Sequence, residues 1–199
     1  ATPLTVLEVG CGNGAAALSL LRGNPNAMIH ATDPSATAVE QTKHAVAAAG
    51  MSNRLTTAVQ PTFDTPAHGL PSEVDVAMIL FTLSAVPSEG EAALLTAAAR
   101  ALKPGGCLLV RDYGLYDTRH LNDARKSIKL QNARTTHEYL RPGGMHRRYY
   151  SLASLEELVK LCPVPLVVEE SRYLCVQLTN VKRALTMNRV YVHAVLRRA

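Results

Sequence analysis

The spacing of three glycines narrows what this chain can fold into more than any other feature. Residues 6–14 read VLEVGCGNG, an apolar run that stops at Gly10, Gly12 and Gly14. Val6, Leu7 and Val9 predict a buried strand, and the glycines let the backbone turn sharply and press against a ligand. AAALSLL (15–21) then opens a helix whose free N–H groups face that ligand. Asp33 closes a second apolar run nineteen residues after Gly14. An acid there can accept hydrogen bonds from both ribose hydroxyls of a nucleoside. The dinucleotide-binding spacing is G-x-G-x-x-G, whereas this loop is G-x-G-x-G. The tighter loop, led by Glu8, suits a ligand with no pyrophosphate for the helix to hold and an ammonium to satisfy. That ligand is S-adenosylmethionine, with S-adenosylhomocysteine as its product. The plainer alternative is a glycine-rich turn between strand and helix.

Hydrophobic residues make up 47% of the 199 residues and charged ones 19%, which describes a globular chain and excludes a disordered one. The length fits one domain over 1–199. No apolar stretch approaches a membrane span, and residues 1–20 lack a signal pattern. Cys11, Cys107, Cys162 and Cys175 form no C-x-x-C pair, and the seven histidines show no metal-ligand spacing. The expectation is therefore no metal, and a reducing compartment: the cytoplasm, with the nucleus also open.

Charge divides the chain in two. Residues 1–100 hold four Lys/Arg and eight Asp/Glu, a balance of −4, and residues 101–199 carry +9. A basic second half points to a polyanion, nucleic acid first, or else to a solvated surface with no partner.

After the glycine turn, strand and helix patterns alternate. Strands are expected at 27–32, 55–59 and 74–80, with a fifth at CLLVRDYG (107–114). Ser35 reads as the N-cap of a helix through Ala49, stopped by Gly50, and Ser88 as the cap of a helix to Leu102 ended by Lys103-Pro104-Gly105-Gly106. This alternation predicts an α/β fold: a doubly wound, mostly parallel sheet with right-handed crossovers, binding its ligand beyond the strands' C-terminal ends. The loops at Gly10–Gly14, Asp33, Gln60, Leu80–Ser84 and Arg111–Tyr113 then share one rim. Further on, the pattern predicts a basic helix from Thr118 to about Asn132. A hairpin over 138–152 should turn at Pro142-Gly143-Gly144, with a helix at 154–161 and a closing strand pair that brings the sheet to seven strands. The chain has no initiator Met and enters its first strand at once, so it reads as a piece of a longer protein.

At LFTLSAV (80–86), LKPGG (102–106) and VRDYGLYD (110–117) the chain resembles the methyltransferase-like enzymes that methylate N3 of cytidine 32 in the tRNA anticodon loop. The resemblance runs from VLEVGCGNG to NRVYVHAVLRR. It implies a Rossmann-like class I methyltransferase fold, tRNA as partner, and an aminoacyl-tRNA synthetase or other helper protein. YLRPGGMHRRYY (139–150) resembles the family's hairpin, one residue longer. The family's Asp-Leu-Thr after the third strand is replaced by Gln60-Pro61-Thr62. Gln60 can still accept from the adenine amine, without charge. Leu80 replaces the family's isoleucine beside the adenine ring. The family also carries an upstream segment over cofactor and tRNA that is expected to be missing. The implied cofactor contacts are Glu8, Gly10, Cys11, Gly12, Gly14, Asp33, Pro34, Gln60, Leu80 and Phe81.

Methyl transfer from a sulfonium is an in-line displacement governed by positioning. Cytosine N3 has a free lone pair and needs no deprotonation. Asp112, flanked by Arg111 and Tyr113, is the expected catalytic acceptor for the cytosine 4-amino group. Its alternative is pairing with a neighbouring base or capping the next helix. Tyr113 and Phe81 are expected to stack on the base, or Phe81 to pack under the adenine. Arg125 and Lys129, four apart on one helix face, and Arg141, Arg147 and Arg148 on the hairpin are expected to grip phosphates, or to be solvated charges. The rival functions are a methyltransferase of a small molecule or protein, and a non-catalytic cofactor-binding subunit.

Overall fold

In the computed structural model, residues 2–60, 71–130 and 137–199 are described. Five strands, β1 (Leu4–Val9), β2 (Ala27–Asp33), β3 (Leu55–Val59), β4 (Val74–Leu80) and β5 (Leu102–Tyr113), run parallel. Two long strands close the sheet, β9 (Leu166–Asn180) and β10 (Leu185–Arg198), in the order β3-β2-β1-β4-β5-β10-β9. β10 alone runs opposite to the other six strands of this sheet. The order reverses beside β1, so the loops after β1 and β4 flank a crevice at the strands' C-terminal ends.

Alternation along the strands divides the core between two faces. Leu7, Val9, Ala77, Ile79, Leu108 and Val110 pack on the side of α3 (Glu91–Ala101) and α5 (Leu152–Lys160). Val6, Ile29, Ala31 and Met78 pack on the side of α1 (Ala15–Gly23) and α2 (Ala36–Ala48). Among the described residues no helix is long and apolar enough to cross a membrane.

Several boundaries differ from expectation. The helix does end just before Lys103–Gly106, at Ala101, but the fifth strand begins at Leu102 and not at Cys107. Leu102 already pairs with Val74 and Cys107 pairs with Val76, so the segment bulges out within β5, Gly105 taking φ 74°. Ser88 caps nothing: its hydroxyl donates to Glu89 (3.1 Å), and a turn closed by the Gly90 N–H on the Pro87 carbonyl (2.9 Å) delays the helix to Glu91. Ser35 does cap α2, accepting from the Ala38 N–H (3.3 Å). Ser151 and Ser154 form a reciprocal capping box, so α5 starts at Leu152, two residues early.

The basic helix α4 (Thr118–Lys126) is shorter than its sequence pattern. Ile128 and Lys129 leave it as a strand, β6, and pair with Leu140 and Tyr139 of β7 (Glu138–Leu140). β7 in turn pairs with β8 (His146–Arg148), making a small three-stranded antiparallel sheet. Lys129 is therefore not on the Arg125 helix face: tertiary pairing overrides helix propensity there. The expected helix end at Asn132 and the Pro61-Thr62 replacement lie outside the described residues. The small sheet is held beside the rim by the Tyr150 N–H on the Tyr113 carbonyl and the Leu115 N–H on the Tyr150 carbonyl (both 2.9 Å).

Candidate active site

The glycine loop is built from the protein side as much as from the ligand side. Gly10, Gly12 and Gly14 all have positive φ (81°, 55° and 78°), which a side chain adopts only with strain. A Cβ at Gly10 would overlap the Thr82 side chain, and one at Gly14 would come within 2.9 Å of Thr42 Cα, so packing also excludes one there. At Gly12 a Cβ would meet nothing within 4 Å, so that turn of the loop faces open space. The Gly10 and Cys11 N–H groups both donate to the Thr32 carbonyl (2.8 and 2.9 Å), tying the loop to the end of β2. Thr42 locks it from α2 by donating to the Gly12 carbonyl (3.1 Å), and it also reaches the buried Cys11 sulfur (3.4 Å).

Around this loop the polar groups are left facing inward. Glu8 is buried, and its Oε2 has no hydrogen-bond partner among the described residues. Burial pushes its carboxyl up to about 7, with the Asp33 charge adding to the rise and the Ala17 backbone N–H opposing it. Gln60 is likewise buried, and among the described residues both its amide oxygen and its amide nitrogen lack partners. Its backbone N–H donates to the Asp33 carbonyl (3.0 Å), which fixes it at the end of β3 beside β2. Orphaned buried polar atoms cost stability, so their presence is itself a sign of a partner. Asp33 is half-buried, with Oδ2 accepting from the Gly12 N–H and Oδ1 from the Ser35 N–H (both 2.9 Å). Pro34 is exposed next to it, and Leu80 is half-buried at the end of β4.

The second cluster lies where β4 and β5 end. Phe81 takes φ 57°, rare for an aromatic residue, held by its N–H on the Arg111 carbonyl (2.8 Å), and it stays 41% exposed. Its ring lies 5.3 Å from those of Tyr113 and Tyr191. Tyr149 closes the group at 6.0 Å from Tyr113. Guanidiniums surround Tyr113: Arg119, Arg147 and Arg189 stand 5.5, 5.3 and 5.6 Å from its ring centre, and Arg119 donates to its hydroxyl (2.8 Å). Asp117, fully buried, pairs with Arg189 (2.7 Å) and caps α4 through the Arg119 N–H (2.7 Å).

Asp112 requires correction. It is 0% exposed and turned inward from Arg111 and Tyr113, since successive residues of β5 face opposite sides. Its Oδ2 accepts from the Ser84 N–H (3.0 Å) and its Oδ1 from its neighbour Tyr113's N–H (2.8 Å). Burial raises its carboxyl to about 6 against those hydrogen bonds. It neither reaches a base nor caps α4; it anchors the loop that presents Phe81. Arg148 is corrected likewise. It is 1% exposed, sandwiched between Glu91 of α3 and Glu138 of β7 (2.5 Å to the latter), and so grips no phosphate. Arg125 and Lys129 are exposed, whereas Arg141 and Arg147 lie near Asp123 (3.4 and 3.7 Å).

Tyr191, Arg189, Arg119 and Asp117 are not marked by the sequence pattern as site residues. Tyr191 meets Tyr113 only through the β5–β10 register, across 78 residues of chain, and no local signal marks it. Asp117 was findable: an acid directly before a polar helix has the pattern of an N-cap.

The chain matches the family model of the methyltransferase domain over residues 6–106. It is 32% identical over 198 residues to O-methyltransferase 3 of Dictyostelium discoideum, covering 95% of this chain and 42% of that protein. To tRNA N(3)-cytidine methyltransferase METTL6 of Homo sapiens it is 31% identical over 206 residues, covering 96% of this chain and 65% of that one. The tRNA(Thr) (cytosine(32)-N(3))-methyltransferase of Saccharomyces cerevisiae is 30% identical over 201 residues, covering 98% and 31%. The chain thus spans less than two thirds of each of these relatives. Among solved structures, a SAM-dependent methyltransferase of Methanosarcina mazei superposes with a TM-score of 0.69 at 17% identity, covering all of this chain and 93% of that one. That likeness shows the fold.

Proposed function

We propose that this chain, which belongs to the methyltransferase domain family, transfers a methyl group from S-adenosylmethionine to N3 of an unpaired cytidine, at position 32 of a tRNA anticodon loop. The observation that carries the reading is the aromatic group Phe81–Tyr113–Tyr191 at the strand ends that also bear the glycine loop. A cluster of rings tilted 39° to 72° to one another and ringed by guanidiniums offers a splayed-out nucleobase on a polyanionic strand an aromatic face beside positive charge. Likeness to the human and yeast cytidine-N3 enzymes over almost the whole chain supports the same choice.

The cofactor supplies an electrophilic methyl on a sulfonium. Toward it, the unpartnered Glu8 Oε2 would accept from the ammonium and Asp33 from the ribose. The Gln60 amide, able both to donate and to accept, would meet the adenine edge. When bound, the cofactor would pass that methyl to the N3 lone pair and keep the C–S electron pair on sulfur, so that the base would carry the positive charge. No protein base is called for, so the chain's part is to hold the cytosine in line and exclude water. With Asp112 sealed inside, stacking does this work. A cytoplasmic or nuclear setting, and help from an aminoacyl-tRNA synthetase, belong to this reading.

The Dictyostelium relative favours a second reading, methylation of a hydroxyl. Nucleoside mass analysis of tRNA from cells lacking the gene separates the two. Loss of 3-methylcytidine is expected. In transfer assays Tyr113→Ala should lower kcat/KM by about 1–3 kcal/mol, the worth of one stacked base, with cofactor affinity unchanged. Unaltered 3-methylcytidine, with label entering hydroxyl acceptors instead, would overturn the proposal.

A further inference from the structure

A polar cavity of about 270 Å³ lies beside the aromatic platform, lined by Arg119, Asn122, Asp123, Arg141 and Arg147. Its cations come from separate elements: Arg119 from α4, Arg147 from β8, and Arg141 from the turn between β7 and β8. Asp123 forms the floor. It is buried and accepts from the Tyr149 hydroxyl (2.8 Å), while Arg141 and Arg147 lean on it at 3.4 and 3.7 Å. One carboxylate against three guanidiniums leaves the cavity with two positive charges in excess. The Arg141 Nε is buried and faces Asp123 Oδ1 at 3.4 Å, an ion pair without hydrogen-bond geometry, and it makes no hydrogen bond among the described residues. Such a pocket fits a compact anion with several acceptor oxygens.

Two of these arginines also touch the platform, at 5.5 and 5.3 Å from the Tyr113 ring centre. A cationic methylated base next to bare guanidiniums would be disfavoured by like-charge repulsion. An anion between them removes that cost. We infer that the cavity seats a single phosphodiester of the RNA strand, the one adjoining the base stacked on Tyr113. The inference rests on the reading that an RNA cytidine is the substrate.

The test is a scan of one anticodon-loop RNA in which each linkage around the target cytidine is replaced in turn by a neutral methylphosphonate. Binding is measured with the wild-type protein, Arg141→Gln and Arg141→Lys. Arg141 is half-buried on a turn, and a urea midpoint matching the wild type's checks that each variant is folded. At one linkage, neutralisation should weaken wild-type binding about tenfold, as the loss of charge-assisted hydrogen bonds does. The same change should cost Arg141→Gln less than twofold, and Arg141→Lys should lie between. Losses that multiply at every linkage would overturn the cavity as a phosphate seat. Methylation of the cytidine in that same experiment would leave the functional reading standing. Coupling at one linkage without methylation would sink that reading and keep the seat; no RNA binding by the wild type would overturn both.

Discussion

At Glu8, one side chain would report on the cofactor site proposed above. Its carboxyl is raised to about 7 by burial, so at pH 6.5 much of it is protonated. A ligand ammonium beside Oε2 favours the carboxylate, so cofactor binding at pH 6.5 should release a proton, and affinity should climb as pH rises through about 7. Calorimetry in two buffers of different ionisation enthalpy measures the release, which Glu8→Gln should abolish. Equal release by wild type and variant would remove Glu8 from the site. The sign for the free protein is opposite. A raised acid contributes stability that is full below its unfolded value of about 4.5 and lost as pH rises through about 7. Glu8→Gln should therefore stabilise the free protein at pH 8, by about 2 kcal/mol. Phe81 shows the other residue-scale device: a left-handed aromatic residue kept in place by the Arg111 carbonyl and by Asp112 beneath its loop.

The small β6–β7–β8 sheet owes its place to a buried ionic knot. Arg148 bridges Glu91 and Glu138, the Tyr150 hydroxyl donates to Glu91, and His146 reaches Glu138 at 3.0 Å. These groups join the sheet to α3 and so hold Arg147 and Tyr149 against Tyr113. Removing the cation alone leaves two buried carboxylates without the charge that offsets them, since the Tyr150 hydroxyl and His146 remain their only other polar contacts among the described residues. Arg148→Met should therefore cost about 3–5 kcal/mol, read as a fall in the urea midpoint, whereas Arg148→Met combined with Glu91→Gln and Glu138→Gln should recover much of it. An unchanged midpoint in the single variant would show that the knot holds nothing.

Over the whole molecule, charge and topology meet on one side. The second half of the chain carries the basic excess, and β5, α4, the small sheet and β10 bring much of it around the platform. RNA affinity should fall steeply with salt. Replacing the exposed Arg125 and Lys129 together by Gln should flatten the log–log slope by about 1.4, since each phosphate left without its cation on a single strand lowers it by about 0.7. Filter binding at several salt concentrations reads that slope, and an identical slope in the double variant would leave these two cations facing solvent.

The amino-acid sequence alone determined the parallel sheet, the rim and the glycine loop, because each is encoded locally. Strand period, glycine spacing and a capping serine act within a few residues, so VLEVGCGNG and Ser35 were readable without their surroundings. Tertiary structure decided which charges are available and which aromatics meet. Asp112 and Arg148 sit in strands whose sequence does not say which face is buried. Lys129 left its helix because β7 offered a partner for its backbone. Tyr191 and Arg189 reach Tyr113 through an antiparallel register that closes only when β10 inserts beside β5. Burial and long-range pairing are properties of the assembled sheet, and the chemistry of this rim depends on both.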